Sequence, residues 1–452
     1  MKKLIAISVM CALVAGAAFA DTTIGGAIFV GGKFLNGTNE ADSHPQTGAV
    51  SLDNYNTLVK LTFGDNSAGG WLSMHNNNGN FYHWFGWWRP IPQLRVQIGR
   101  NTDGDFGTAQ ITGWGFTGES KNGLGAMGEY SGEIFGLAHA RTGFYGGTGS
   151  TPNFQVSVFP IEGLTVNLWV PFTTGAAGFS FGKFEANIQY RIIDIGNVTL
   201  SFQSNTGYKL ADPVKDGPRV TDEVDYKDDQ VASWWVTEQT GTPKIFLSFY
   251  LTAIENMAID LGLAYQFPLS YDYDVAETRF ADQYNYKYTQ NFPIEIGLGF
   301  RYTAGDFSVK LRSAFSVGGS VEETNRKNPT EPTEPVNDVT KISVNILPSY
   351  KIGTMTLYLY AGMGIQIVDD WENTKKTPDM AFGGYTAGQG GGFVANESNA
   401  AISWFINPYL FIPAGSLRFQ VGFQIYSDGV KYPNGNAALF KWSIPIGFYT
   451  YF

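Results

Sequence analysis

The stretch Met257-Ala258-Ile259-Asp260-Leu261-Gly262-Leu263-Ala264-Tyr265-Gln266-Phe267 sorts its residues by parity. The odd positions are all large and apolar, and the even ones are small or polar. Successive side chains of an extended chain point to opposite faces, so this is a strand with one greasy face and one wet face. The pattern returns in Phe292 to Tyr302, in Phe307 to Arg312, in Leu417 to Ile425, and upstream in Phe184 to Ile192. Two architectures produce such alternation. A soluble sandwich hides the apolar faces between two sheets, whereas a membrane barrel turns them to lipid and keeps the polar faces around an aqueous interior.

The connections decide between them. Short ones fall near Gly64 to Gly69, Arg89 to Gln93, Pro160 to Gly163, Asp194 to Asn197, Ala253 to Asn256, Ala304 to Asp306, Lys351 to Thr354 and Pro413 to Ser416. Between them lie long polar stretches near Gly32 to Asp53, Asn101 to Pro152, Thr206 to Pro243, Ser270 to Asn291, Gly318 to Thr340, Asp369 to Asn399 and Ser427 to Ala438. A sandwich has no reason to keep two registers of loop length. A barrel crossing a membrane does, with short turns at one end and long loops at the other. The sequence therefore predicts an all-β, transmembrane antiparallel barrel of 18 strands, in a range of 16 to 20, with short periplasmic turns and long external loops. Parity favours an even count, because a chain that starts and ends on one side needs one.

Composition agrees. Only 15% of residues are charged while 15% are aromatic and 55 are glycine, which excludes disorder, collagen and coiled coil. Lys2 and Lys3, the apolar run Leu4 to Ala17 and Ala18-Phe19-Ala20 form a secretory leader over residues 1–20, with cleavage expected after Ala20. The single cysteine, Cys11, lies inside that leader. Beyond it, 28 basic residues face 40 acidic ones, a balance that offers nothing to nucleic acid, and residues 21–452 read as a single barrel domain. No later segment reaches the roughly 18 to 20 continuous apolar residues of a membrane helix.

At the carboxy end, Trp442, Ile444, Ile446, Phe448, Thr450 and Phe452 share one face, and Pro445 interrupts the ladder, which predicts a bulge or an inward position lacking its donor. This final segment resembles the carboxy-terminal β-signal of bacterial outer-membrane proteins, and the chain as a whole looks like the porin type. The resemblance implies a Gram-negative outer-membrane location, recognition of Phe448 and Phe452 by the barrel-insertion machinery, contact with outer-membrane lipids, and a homotrimer as the usual arrangement. The function it implies is an aqueous channel for passive diffusion of small hydrophilic solutes and ions, with no cofactor, no metal and no catalysis.

If the apolar parity faces lipid, the polar parity lines the pore. Its bases are Lys60, Arg95, Lys183, Arg191, Lys244, Arg301, Lys310, Arg312, Arg418 and Lys441, and its acids Glu185, Asp260 and Glu295, a wall of net charge +7. The acidic excess sits in the stretches Ala211 to Gln230, Tyr271 to Gln290 and Val321 to Thr340, which together carry −9. A modest anion preference follows for the channel. Residues 101–152 hold fourteen glycines and the acids Asp103, Asp105, Glu119, Glu129 and Glu133. In position and composition the segment resembles the inward-folded constriction loop of general porins, with those acids facing Arg95 and the other wall bases.

Aromatic residues support a rival reading. Trp71, Phe85 and Trp87 fall on one face of neighbouring strands, with Trp84 and Trp88 on the other. Either set belongs to the interfacial girdle that every such barrel needs, or the first forms an inner track on which sugars stack, as in sugar-selective porins. A surface adhesin or structural barrel is a third reading. The enzyme reading is set aside: the four histidines, His44, His75, His83 and His139, meet no recognisable nucleophile motif, and no G-x-S-x-G, Walker loop or H-E-x-x-H occurs.

Overall fold

The computed structural model describes residues 22–38, 50–51, 58–65, 67–75, 81–100, 152–171, 184–204, 208–214, 234–275, 285–291, 294–325, 336–367, 394–395, 400–427 and 440–451. Within them a single antiparallel sheet runs through eighteen successive wall strands. These are β1 (Thr22–Thr38), β2 (Leu58–Gly64), β3 (Ala68–His75), β4 (Phe81–Ile91), β5 (Leu94–Arg100), β6 (Asn153–Val158), β7 (Leu164–Pro171), β8 (Glu185–Ile192) and β9 (Gly196–Gln203). They continue as β10 (Lys244–Leu251), β11 (Met257–Gln266), β12 (Ile294–Ala304), β13 (Phe307–Asn325), β14 (Val336–Ile352), β15 (Met355–Ile367), β16 (Ala400–Ala414), β17 (Leu417–Gly422 with Gln424–Ser427) and β18 (Phe440–Tyr451). Each pairs with the next, and β1 pairs with β18 from Ala27 opposite Tyr451 to Thr38 opposite Lys441. That last pairing closes the sheet into a barrel and leaves no wall strand with an open edge, the condition for a sheet to sit in lipid.

All eight short connections expected from the sequence are tight turns at one end of the barrel. Their backbones explain the residue choice. Gly305, Gly353 and Gly415 sit at φ of 58°, 61° and 65°, and Asp194 and Asn256, the two non-glycine types that best tolerate this region, at 60° and 62°. At the first of these turns Asp65 accepts hydrogen bonds from the backbone N–H of Ser67 at 2.6 Å and of Ala68 at 3.0 Å. Those two bonds to the ionised form, Ala68's first, hold the Asp65 carboxyl below its usual value. A depressed folded value stabilises the turn above the ordinary carboxylate range and loses that contribution as pH falls through it. Asp65→Asn is therefore expected to unfold at a temperature less dependent on pH below about pH 4 than the parent. Identical acid-side slopes in the two proteins would contradict this role.

The other end is taller than the sequence suggests. Tyr208–Val214, Trp234–Gln239, Leu269–Val275 and Asn285–Asn291 form strand beyond β9, β10, β11 and β12, and β13 and β14 run for 19 and 17 residues. Pairing stays in step across the breaks: Lys244 faces Gln266 and, beyond Pro243 and Pro268, Gln239 faces Tyr271. About ten residues span a bilayer, so these strands stand well above it. Stretches of the expected loops Thr206 to Pro243, Ser270 to Asn291 and Gly318 to Thr340 are thus strand, and Gly32 to Thr38 belongs to β1. Proline removes single ladder donors there without ending the strand. Pro445 does what its missing N–H predicts: opposite it the register of β1 slips between Lys33 and Leu35.

Candidate functional site: the inner wall of the barrel

Directly paired residues share a face, so the register can be followed around the wall. One outward row reads Leu94, Val158, Val166, Ile188, Leu200, Leu247, Leu263, Ile296, Phe315, Ile342, Ile365, Ile402. Every member is apolar. Six of them, Ile188, Leu200, Leu247, Leu263, Ile296 and Phe315, are left 38% to 48% exposed, a contiguous belt that water would not tolerate on a soluble protein. The inward row between the same strands reads Arg95, Ser157, Asn167, Asn187, Ser201, Phe246, Ala264, Glu295. The next inward row reads Trp87, Gln97, Gln155, Trp169, Glu185, Gln203, Lys244, Gln266.

Of the residues expected to line the interior, Arg95, Glu185, Arg191, Lys244, Asp260, Arg301, Lys310 and Arg418 all sit on this inward face. Lys60, Glu295, Arg312 and Lys441 occupy register positions of the same face. Lys183, the five acids between 101 and 152, the leader and Phe452 lie outside the described residues, and Phe448 pairs with Val30 and Phe419 on the outward parity. The bases are spread around the circumference rather than gathered. Arg301 and Lys310 alone among them are direct partners within the described pairing. Arg95 lies 5.8 Å from the Trp87 ring centre and Arg418 5.8 Å from that of Phe411, cation-π contacts that hold guanidinium groups along the wall. The two acids with described side chains, Glu185 and Asp260, are buried, and Gln203 Nε2 donates to Glu185 Oε1 at 2.5 Å.

The aromatic set has a definite place. Trp71 pairs with Phe85, and Trp87 with the inward Gln97, so all three are on the inward face and the girdle reading does not hold for them. Their rings touch, with centroids 5.5 Å apart for Trp71 and Phe85 and 6.1 Å for Phe85 and Trp87. Trp88, 59% exposed, is outward. Further inward aromatics escaped the sequence reading: Trp169, Phe246, Tyr250, Tyr360, Phe405 and Tyr409. Two of these rings pack over a glycine of a neighbouring strand: a Cβ on Gly362 would strike the Phe405 ring, and one on Gly262 would come within 3.3 Å of that of Phe246. Also missed were the neutral groups Gln97, Gln155, Asn167, Asn345 and Asn407, buried on the inward face together with Asn187 and Gln189. A scan for charge passes over them, although their parity with Glu185 and Asp260 marks the face.

Among the described residues no cluster of histidine, cysteine or acid suits a metal ion. No family model and no curated protein sequence matches the chain. Solved structures align along nearly its whole length. OpdQ of Pseudomonas aeruginosa aligns with a TM-score of 0.43 and 8% identity over 96% of this chain and 99% of its own. Outer-membrane-expressed OmpT of Vibrio cholerae follows with 0.40 and 9% over 96% and 98%, and a porin refined at 1.8 Å with 0.37 and 10% over 96% and 100%. With scores this low, the fold rests on the strand pairing and the closure of β1 on β18.

Proposed function

We propose that this chain is a bacterial outer-membrane channel through which small hydrophilic solutes diffuse passively, with a modest preference for anions. The observation that carries the reading is the contrast between the two faces of one closed sheet: an unbroken apolar row outside, amides, hydroxyls and charges inside. A barrel of eighteen strands is too wide for its own side chains to fill. Asn167 and Asn187 face each other across β7 and β8, both buried, and among the described residues no protein group bonds their side-chain amides. Buried amides need partners, and in such an interior water supplies them. The bases on inward positions outnumber the acids, which favours anions. Non-enzymatic transport, a homotrimer and insertion through the carboxy-terminal strand belong to the same reading.

Swelling of proteoliposomes in neutral sugars of increasing size tests it. The expected result is a rate that falls steadily with solute size; swelling no faster than in protein-free liposomes would overturn the reading. The inward Trp71, Phe85 and Trp87 favour a second reading, a sugar-selective channel. In that case one sugar saturates its own flux and blocks ion current, and Trp87→Ala relieves the block by up to about tenfold, since an aromatic stacking contact contributes about 0.5 to 1.5 kcal/mol. Flux linear in every sugar would exclude it.

A further inference from the structure

A cavity of about 210 Å³ opens on the inward face at the turn end of β12, β13, β14 and β15. That is far more than the roughly 30 Å³ taken by one water. Register explains its lining. Thr303, Ser308, Ser349 and Tyr358 are successive direct partners across the four strands, so their hydroxyls form one row. Lys310 lies one inward position deeper on β13, and Lys351 one position nearer the turn on β14, so two ammonium groups bracket the hydroxyl row. Asp306 is the one acid in the lining, and it sits in the turn. The hydroxyls are oriented as well: Thr303 Oγ1 donates to Ser308 Oγ at 3.3 Å, and Ser349 Oγ to the Ser308 carbonyl at 3.5 Å. Ser308 Oγ accepts the first of these, so that bond leaves its own hydroxyl proton unused. The Tyr358 ring is stacked on Tyr409 with centroids 4.8 Å apart and planes within 10°, which fixes one side of the cavity.

A second feature points the same way. Arg301 stands directly opposite Lys310, and like charges facing each other across a strand pair repel. Together with Lys351 they put three cations on or beside the cavity, against Asp306 at its rim. We infer that this cavity is a binding subsite for small oxyanions of the phosphate class, placed where solute leaves or enters at the turn end of the barrel. Two ammonium groups on opposite sides supply the charge, and the hydroxyl row supplies donors to oxygens that the lysines do not reach. A neutral sugar would meet the hydroxyl row but bring no charge to the two ammonium groups. The inference rests on the channel reading for its route of access, and it goes beyond a diffuse anion preference by naming one place and one chemistry.

The test uses the refolded full barrel in a planar bilayer in chloride salt, titrated with inorganic phosphate and, in a separate arm, with glycerol phosphate. Phosphate is expected to reduce the chloride current saturably. Lys310→Gln and Lys351→Gln should each raise the half-blocking concentration about tenfold, as loss of a charged hydrogen bond does, while Lys351→Arg retains most of the block. Glu255→Gln, in another exposed turn, should leave it unchanged. Block by inorganic phosphate alone assigns the subsite to the free ion, and block by both assigns it to the phosphoryl group. A chloride current that shows no saturable response to either, or responds identically in the two glutamine variants, overturns the subsite and leaves the channel reading standing. Calorimetric titration of phosphate into the detergent-solubilised protein decides the case of a silent barrel. Lysine-dependent heat upholds the subsite though the channel reading fails, and absence of heat removes both.

Discussion

Replacing Leu263 by arginine is expected to destabilise the folded barrel in lipid by about 2 to 4 kcal/mol, the cost of a guanidinium on the lipid face near the bilayer middle. Leu263 sits inside β11, 43% exposed, with Leu247 and Ile296 as its direct partners on either side. No acid or amide of that row can take up the new charge, because every neighbour along it is apolar. Changing Thr165 to lysine should cost less than half as much, since Thr165 pairs with the buried, inward Gln189 and meets the wet face. Denaturant titrations of both variants in lipid vesicles, followed by tryptophan fluorescence, read the difference. Equal costs would mean that the two faces have been assigned the wrong way round.

The second large effect is expected at Gly99, where alanine should destabilise by about 2 to 5 kcal/mol, the sum of backbone strain and overpacking. Gly99 holds φ at 147°, a conformation side chains rarely adopt. A Cβ there would meet the Trp84 carbonyl and come within 2.5 Å of Phe85 Cα. Neither is the end of a flexible side chain, so relief requires β4 to move, and with it the contacts that join Phe85 to Trp71 and Trp87. The variant is expected to give a lower yield of refolded barrel and an altered tryptophan emission. Gly305, at φ 58° with open space around it, offers the comparison: Gly305→Asn should be tolerated, because only the backbone conformation has to be accommodated. An alanine at Gly99 as stable as the parent would refute the close approach of the β4 backbone to that glycine.

Both predictions depend on features of unequal visibility in the sequence. Parity is visible because a membrane barrel repeats one chemistry at every second residue, as in Leu261 and Leu263 against Asp260 and Gly262. The eight turns are visible for a related reason: Asp194, Asn256, Gly305, Gly353 and Gly415 are the residue types that left-handed turns require. Most of the tall side was hidden, although Trp234 and Trp235 beside the acidic stretch read as a strand continued above the membrane, as they are. Pro243 and Pro268, with acids such as Asp272 and Asp274 nearby, read as loop, yet the register runs straight through them, because long strands tolerate a missing donor where neighbours keep the pairing in step. The inner aromatics were hidden by ambiguity. The run Trp84-Phe85-Gly86-Trp87-Trp88 places aromatics on both parities, and only the pairing of Trp87 with Gln97 separates them. The oxyanion cavity could not be read locally at all. Thr303, Ser308, Ser349 and Tyr358 are ordinary residues along the chain and meet only through the register of four strands.

The central claim is that the polar face of this sheet encloses a continuous aqueous path with more basic than acidic groups along it. Single-channel recording of the refolded protein across a bilayer with a salt gradient tests that claim most directly. The predicted result is discrete conductance steps and a reversal potential of anion-selective sign. A folded barrel that conducts nothing, or one with a clear cation-selective sign, would contradict it.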